Sequence, residues 1–478
     1  MEKYIFPVEN IKKKDGVIVY GAGKIGQAYV RQIMAYDLCQ LLCVVDEKAL
    51  SLTSACTSVK LPSALVEYKF DYVLIAVKNP EKAIDIQAKL QDKYAVPAKK
   101  IIWSIKSVNG EDDNPVIALK PPLHPDNDKI TIAVSMTGGI GDAIIAKKFI
   151  CELAAQADYD CQIDIYTEKH IVDFVTVLYQ DVSWTMNVYS CQEQNIIVDT
   201  CAYDLVIRPG YVFAILHRND NALRKKHYSF AILVEKMVNY LHNEGLLWSH
   251  PVDNGVQFAR AKRRGENAYT IYSFGGLLPI KDRRVSIPLL SEKGKEYMAF
   301  FKRKKISSPF ITINYGGSMK AENNFSKIWP LEYFCRLTVM IKNKYPNLKI
   351  VQLGRKDTPP IDRADLFLAG MDIEFIKYVL RDSLLHIDSE SGLVHIASQL
   401  ETPCLVAFGP TPIHFFGYPH NINVTAGNCH DCCYLDNDFT KCIRGMKRAE
   451  CMHALTPDIL FDKFVEQFTK FFDDRGRG

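Results

Sequence analysis

Four stretches of this chain carry residue types at spacings that could do chemistry. In the first, a short apolar run, Leu384–Ile387, ends in Asp388-Ser389-Glu390-Ser391-Gly392, and apolar residues then recur at Leu393, Ile396, Ala397 and Leu400, a helical period. A strand that feeds a Ser-Gly turn into a helix leaves the first helical N–H groups unpaired, and with the helix dipole these can hold a phosphate. Glu390 beside such an anion site needs another task, such as accepting hydrogen bonds from ribose or sugar hydroxyls. The structural alternative is an ordinary Ser N-cap at Ser391. In the second stretch, Gly138, Gly139 and Gly141 let the backbone pass close to a bound sugar or acceptor, and Asp142 falls in the first turn of the next helix, where Asp is also a preferred cap. In the third, Gly21, Gly23 and Gly26 follow an apolar run, and Asp46 stands 20 residues further on. That is a dinucleotide fingerprint, with glycines for the turn and for phosphate approach and an acid for a ribose hydroxyl. The fourth is Cys429-x-x-Cys432-Cys433, with nine residues between Cys432 and Cys442 and eight between Cys442 and Cys451. In a chain without secretory features this pattern favours a thiolate-bound structural iron or zinc over disulfides, with Cys433 left over.

The elements needed to position these residues can be read around them. Gly16–Tyr20, Leu41–Val45 and Asp71–Val77 read as strands alternating with helical stretches, which makes residues 1–106 a small Rossmann-like nucleotide-binding domain. Beyond its glycine turn and flanking strands, no further segment offers a catalytic constellation of its own for an oxidoreductase. Ser107–Asp128 is rich in Pro, Asp and Asn and reads as a linker. From Lys129 a buried strand, Ile130–Val134, enters the second glycine turn, and strand and helix patterns alternate to residue 305. A further set begins at Phe310–Asn314 and runs through 306–455, and residues 456–478 form a last helix. The fold class expected is therefore α/β, with two Rossmann-like halves behind a smaller Rossmann-like domain. Leu460, Phe461, Phe464, Phe468 and Phe471 form an apolar stripe on the last helix, expected to pack across the cleft.

Composition excludes several classes. The 478 residues are 48% hydrophobic and 24% charged, and the net charge of +4 is the difference between 59 basic and 55 acidic groups. So small an excess gives no case for nucleic acid as a partner. No run approaches the roughly 20 apolar residues that span a bilayer, and residues 1–10 do not read as a signal peptide, so a cytoplasmic protein is expected. Arg224-Lys225-Lys226-His227 and Arg260, Lys262, Arg263 and Arg264 form a basic run. Solvated helix faces are one reading of it; a groove for an anionic acceptor or peripheral contact with an inner-membrane surface is the other. Oligomeric state is left open.

The run Glu390-Ser391-Gly392-Leu393-Val394-His395 resembles the donor-binding pattern of the family 9 glycosyltransferases, the heptosyltransferase family: an acidic residue, Ser or Thr, Gly, two residues, then His. Gly138-Gly139-Ile140-Gly141-Asp142-Ala143 matches the N-terminal motif of the same family. Glu390 stands where the family more often has Asp, and Asp388 makes that assignment ambiguous by two residues. The resemblance implies a GT-B fold, Asp142 as catalytic base, and Lys327, before Trp329-Pro330, as the residue that reaches the donor's phosphates. Glu390, Ser391, Gly392, His395 and the three glycines of the second turn then bind donor. It further implies an inverting glycosyltransferase acting on a nucleotide sugar, ADP-heptose first among them, with a saccharide or protein hydroxyl as acceptor and no catalytic divalent ion. Four cysteines before the C-terminal helix resemble the iron finger of heptosyltransferases that modify autotransporters. The rival expectations are an NAD-linked oxidoreductase run by the first domain and a nucleotide-sugar-sensing scaffold with an inactive transferase.

Overall fold

The computed structural model describes residues 2–7, 11, 14–36, 39–49, 59–109, 128–191, 203–244, 252–306, 309–316, 326–427, 429–432, 442, 444, 446 and 449–475. Most of the expected linker and Cys433 lie outside these residues. The chain divides into two compact units. The first takes in residues 1–114, 239–265 and 434–437, and the second the remainder.

In the first unit, β1 (Glu2–Ile5) pairs antiparallel with β7 (Lys106–Asn109). The other five strands are β2 (Gly16–Tyr20), β3 (Gln40–Val45), β4 (Val59–Lys60), β5 (Tyr72–Ile75) and β6 (Ile101–Ile102). They make one parallel sheet in the order β4-β3-β2-β5-β6. Val17, Ile18 and Val19 are buried in the middle strand, as a strand covered on both faces requires. The chain leaves β2 to build outward through β3 and β4 and then returns to the other side, so the turn after β2 lies at a topological switch point. Helices α1 (Lys24–Tyr36) and α2 (Pro80–Asp92) connect the strands. A helix from much later in the chain, Val252–Arg264, packs against α1, although the sequence reading placed those residues in the 129–305 segment.

The second unit holds two α/β halves. The first half is built on β8 (Ile130–Ser135), β9 (Cys161–Glu168), β10 (Thr185–Cys191), β11 (Leu205–Arg208) and β12 (Ala214–Arg218). These are ordered β10-β9-β8-β11-β12, parallel except for the edge strand β12. Its helices are α3 (Ile140–Gln156), α4 (Val172–Leu178), α5 (Asp220–Lys226) and α6 (Tyr228–Glu244); α7 is the Val252–Arg264 helix already placed. The basic run is largely taken up in ion pairs. Arg224 meets Glu235, Lys226 meets Asp204, and Arg260 and Arg264 share Glu244.

The second half has six parallel strands, β13 (Phe310–Asn314), β14 (Lys349–Gly354), β15 (Leu366–Ala369), β16 (His386–Ser389), β17 (Cys404–Ala407) and β18 (Ile422–Val424). Their order is β15-β14-β13-β16-β17-β18. Around them stand α8 (Ser291–Arg303), α9 (Leu331–Lys344), α10 (Ile373–Asp382), α11 (Gly392–Gln399), α12 (Ile413–Phe416), α13 (Glu450–Ala454) and α14 (Pro457–Arg475). Leu460, Phe464 and Phe468 of α14 are buried in the core of this half with Trp329, Phe334 and Ile341, and α14 packs on α9. The apolar stripe thus completes one half, where the sequence suggested a bridge across the cleft. Two successive parallel α/β halves behind a smaller one constitute the GT-B layout expected from the sequence. No helix among the described residues is long and apolar enough to cross a membrane.

Candidate functional site

β16 ends in Asp388 and Ser389, both buried. Asp388 Oδ2 accepts from Asn314 Nδ2 at 2.9 Å and from the Ser391 hydroxyl, and stands 3.4 Å from His386 Nε2. Ser391 occupies the N-cap position of α11, but because its Oγ is turned back to Asp388 it makes no side-chain cap bond. The first N–H groups of α11 are therefore not taken up by Ser391 and suit an anion. The two candidate acids also separate. Asp388 braces the turn from inside, whereas Glu390 meets Lys327 Nζ at 2.6 Å and has His395 Nε2 3.7 Å from its other oxygen. Burial opposes the charge on Glu390, but the Lys327 ammonium and His395 outweigh it and hold the carboxyl down at about 2. Trp329, two residues on from Lys327, is locked by Nε1 donating to the Leu455 carbonyl at 2.7 Å and by its N–H on Ser389 Oγ at 3.2 Å.

The glycine turn before α3 comes to the same place. Gly138 has φ +104, a conformation open to glycine at little cost. Asp142 Oδ2 accepts from the Gly139 N–H at 2.8 Å, so this carboxylate does cap its own helix. Its Oδ1 accepts from the Tyr211 hydroxyl. A Cβ on Gly141 would stand 2.7 Å from His395 Cδ2, and one on Gly392 would stand 3.0 Å from Ile140 Cβ. The N-terminal ends of α3 and α11 therefore abut, each at the other's glycine. Asp142, His395, Glu390 and Lys327 are gathered by this contact although 253 positions separate Asp142 from His395.

Sequence reasoning missed the residues that hold this cluster. Tyr211 lies just beyond β11, and its ring meets Phe415 and Phe416 edge-on at 5.5 and 5.4 Å. His395 Nδ1 is 2.8 Å from the Tyr418 hydroxyl, which is 2.6 Å from that of Tyr269. Burial pushes the pKa of both phenols up, so they act as neutral hydrogen-bonding groups. None of these tyrosines sits in a local motif, so nothing short-range in the sequence marks them.

In the first unit, Gly21 has φ +113, and a Cβ on Gly26 would lie 1.7 Å from the Gly21 carbonyl oxygen. Both glycines are demanded by the turn itself. Gly23 faces open space. Asp46 Oδ2 accepts from the Ala22 N–H at 2.8 Å and Oδ1 from the Lys48 N–H at 2.8 Å, so the acid placed for a ribose anchors the glycine turn.

Cys442 and Cys451 are buried, and Cys429 and Cys432 half-buried. Burial, with the neighbouring cysteines, pushes the Cys432 thiol well up and that of Cys451 up to about 12. Four thiols within one another's electrostatic reach suit a thiolate-bound ion in donor chemistry. Their spacing as placed does not close around one: no group of three or more His, Cys, Asp or Glu among the described residues stands at metal-holding distance. A Cβ on Gly409 would lie 3.1 Å from Cys451 Sγ and 2.5 Å from Met452 Sδ, so this segment packs directly on the loop after β17.

Residues 13–102 match the C2185-like N-terminal domain family. No protein of curated function matches the sequence. Among solved structures, the chain is similar to ADP-heptose LPS heptosyltransferase II of Escherichia coli at 13% identity, over 71% of this chain and 99% of that one, with a TM-score of 0.43. A family 9 glycosyltransferase of Veillonella parvula gives 15% identity over 63% and 86%, with a TM-score of 0.38. The iron-containing dodecameric glycosyltransferase TibC of enterotoxigenic E. coli gives 12% identity over 72% and 78%, with a TM-score of 0.41.

Proposed function

We propose that this protein is an inverting glycosyltransferase that moves a sugar from a nucleotide-activated donor to a hydroxyl of a saccharide or protein. The observation that carries this reading is the abutment of the two glycine turns, Gly141 against His395 and Gly392 against Ile140, which brings the helix start that bears Asp142 against the turn that holds Glu390 and its partner Lys327. Asp142 takes the proton of the acceptor hydroxyl as its oxygen attacks the anomeric carbon. The bond from that carbon to the diphosphate breaks, and the nucleoside diphosphate leaves with the bonding electrons. Lys327 and the first N–H groups of α11 stabilise the charge that develops on it, so this step calls for no divalent ion. Glu390 keeps Lys327 in place and accepts from donor hydroxyls. The motif resemblance to heptosyltransferases makes ADP-heptose the first donor to test.

The cysteine segment is proposed as a structural site for one iron or zinc ion beside the donor loop, and the first unit as a nucleotide-binding domain that does not turn its ligand over. Incubating the purified full chain with a panel of nucleotide sugars and following nucleoside diphosphate release tests the main reading. Release from one sugar nucleotide supports it. Turnover of a nicotinamide cofactor without such release would replace it with an oxidoreductase, and tight binding without turnover would leave a sensor.

A further inference from the structure

The α11 helix that starts at the candidate site ends, eight residues and about 12 Å later, at a cavity of about 1010 Å³. Pro403 precedes β17, and Pro419 and His420 precede β18. All six strands of this sheet run parallel, so the cavity opens at their N-terminal edge, opposite the turns at Gly392 and Gly409. It is distinct from the candidate catalytic site.

Its charges are unevenly matched. Lys281, Arg283 and Arg284 line it, against Asp282 and Glu401. Asp282 is already committed, 3.1 Å from Lys148 Nζ and accepting from the Arg284 N–H at 2.9 Å. No carboxylate among the described residues lies within ion-pair distance of Lys281, Arg283 or Arg284. Arg283 is half-buried, and its guanidinium donates to the backbone carbonyls of Gly417 and His414 while lying 5.8 Å from the Tyr418 ring centre. A half-buried cation satisfied only by neutral acceptors retains a charge that an anion would offset. Burial correspondingly pulls the pKa of Arg283 down. The helix dipole at the end of α11 and the Glu401 carboxylate supply part of the compensation, but one partial and one whole charge are set against three whole ones.

We propose that this cavity is a second ligand site, for a small phosphorylated molecule whose phosphate lies against Arg283, Arg284 and Lys281. Guanidinium groups match phosphate oxygens in pairs, and the volume exceeds what a bare ion fills, leaving room for a sugar or nucleoside body. Tyr418, which lines the cavity, also holds His395, so an occupant would touch a residue that reaches the catalytic end.

The test uses the full chain and inorganic pyrophosphate as probe, measured by calorimetry. Because the proposed donor site also binds diphosphate, Lys327→Ala supplies the background in which that end is disabled. Pyrophosphate should still bind Lys327→Ala protein, and adding Lys281→Glu with Arg284→Glu should weaken this remaining binding about tenfold or more, the loss expected from charge-assisted hydrogen bonds. Both side chains are exposed, so the fold should survive, and an unchanged thermal midpoint checks it. Two results would overturn the proposal: no binding to Lys327→Ala protein, or binding that the double charge reversal leaves unchanged. Failure of the transferase reading is separable, since it predicts only the component that Lys327→Ala removes.

Discussion

The Tyr211 hydroxyl donates to Asp142 Oδ1 while the Tyr211 ring sits edge-on against Phe415 and Phe416. One side chain thus ties the proposed base of the first half to α12 in the second. The Tyr272 hydroxyl holds the preceding residue, donating to the Gly210 carbonyl at 3.0 Å. The position of the base is in this way set by the packing of both halves.

Tyr211→Phe keeps the ring contacts and removes the hydrogen bond. In the transferase reading, kcat should fall about tenfold with donor KM within about twofold, since one charge-assisted hydrogen bond is lost from the catalytic group. Tyr211→Ala, which also empties the contact with Phe415 and Phe416, should lose more. Steady-state kinetics of the two variants decide the point; equal, negligible effects would reduce Tyr211 to packing.

Asp142 has two tasks that a single substitution can separate. Asn at this position still offers an oxygen to the Gly139 N–H but cannot take a proton. We expect Asp142→Asn to cut transfer by about 10²- to 10⁴-fold with donor binding within a few-fold and little change in stability. Asp142→Ala should add a loss of about 1 kcal/mol from the uncapped helix. If the Asn variant loses donor binding as much as turnover, Asp142 is only a cap.

Much of this was legible because it is local. Strands such as Ile130–Ser135, buried on both faces, announce themselves as apolar runs, and the glycine turns are short motifs whose spacing reflects backbone geometry. The choice between Asp388 and Glu390 was not legible. It depends on Ser391 turning toward Asp388 and on Lys327 arriving from 63 positions upstream. The partnership of α7 with α1 was equally hidden, because an amphipathic period tells that a helix has an apolar face and not which distant surface covers it. A fragment starting at Lys129 would carry α7 without α1, and its failure to fold would say nothing about catalysis.

Glu390 should leave a signature in acid. Its folded pKa of about 2 lies below the ordinary value near 4.5, so the unfolded state binds the proton first as pH falls. The stabilisation is therefore fully present above about 4.5 and is lost as pH drops toward 2, a contribution of the order of 3 kcal/mol. Urea unfolding at a series of pH values should show a shallower acid decline for Glu390→Gln than for the parent. Parallel curves for the two proteins would remove the Lys327 pair from the account of stability.

For the cysteine segment, protein purified without chelator should contain about one iron or zinc ion per chain, and Cys432→Ser should lower both metal content and thermal midpoint. Cys451 packs on Gly409, so the metal-depleted protein should also bind donor less tightly. A metal-free preparation with undiminished stability and activity would leave these thiols as packing residues.

The N-terminal turn allows a cleaner separation of folding from binding than its glycines suggest at first sight. Gly26 cannot accept even a methyl group, since the Cβ would overlap the Gly21 carbonyl oxygen, so Gly26→Ala or Gly26→Asp should unfold the turn and lower the melting temperature of the first unit. Gly23 faces open space where a phosphate would approach, and a side chain there meets nothing within 4 Å. Gly23→Asp should therefore keep the fold, as read by circular dichroism, while its carboxylate repels an anionic ligand and weakens nucleotide binding at least about tenfold. Asp46, whose two oxygens are spent on the Ala22 and Lys48 N–H groups, should behave like Gly26, losing stability and binding together on conversion to Ala. Calorimetric titration with NAD and with ADP, run beside the melts, distinguishes the two outcomes; undiminished nucleotide binding by folded Gly23→Asp protein would move the ligand away from this turn.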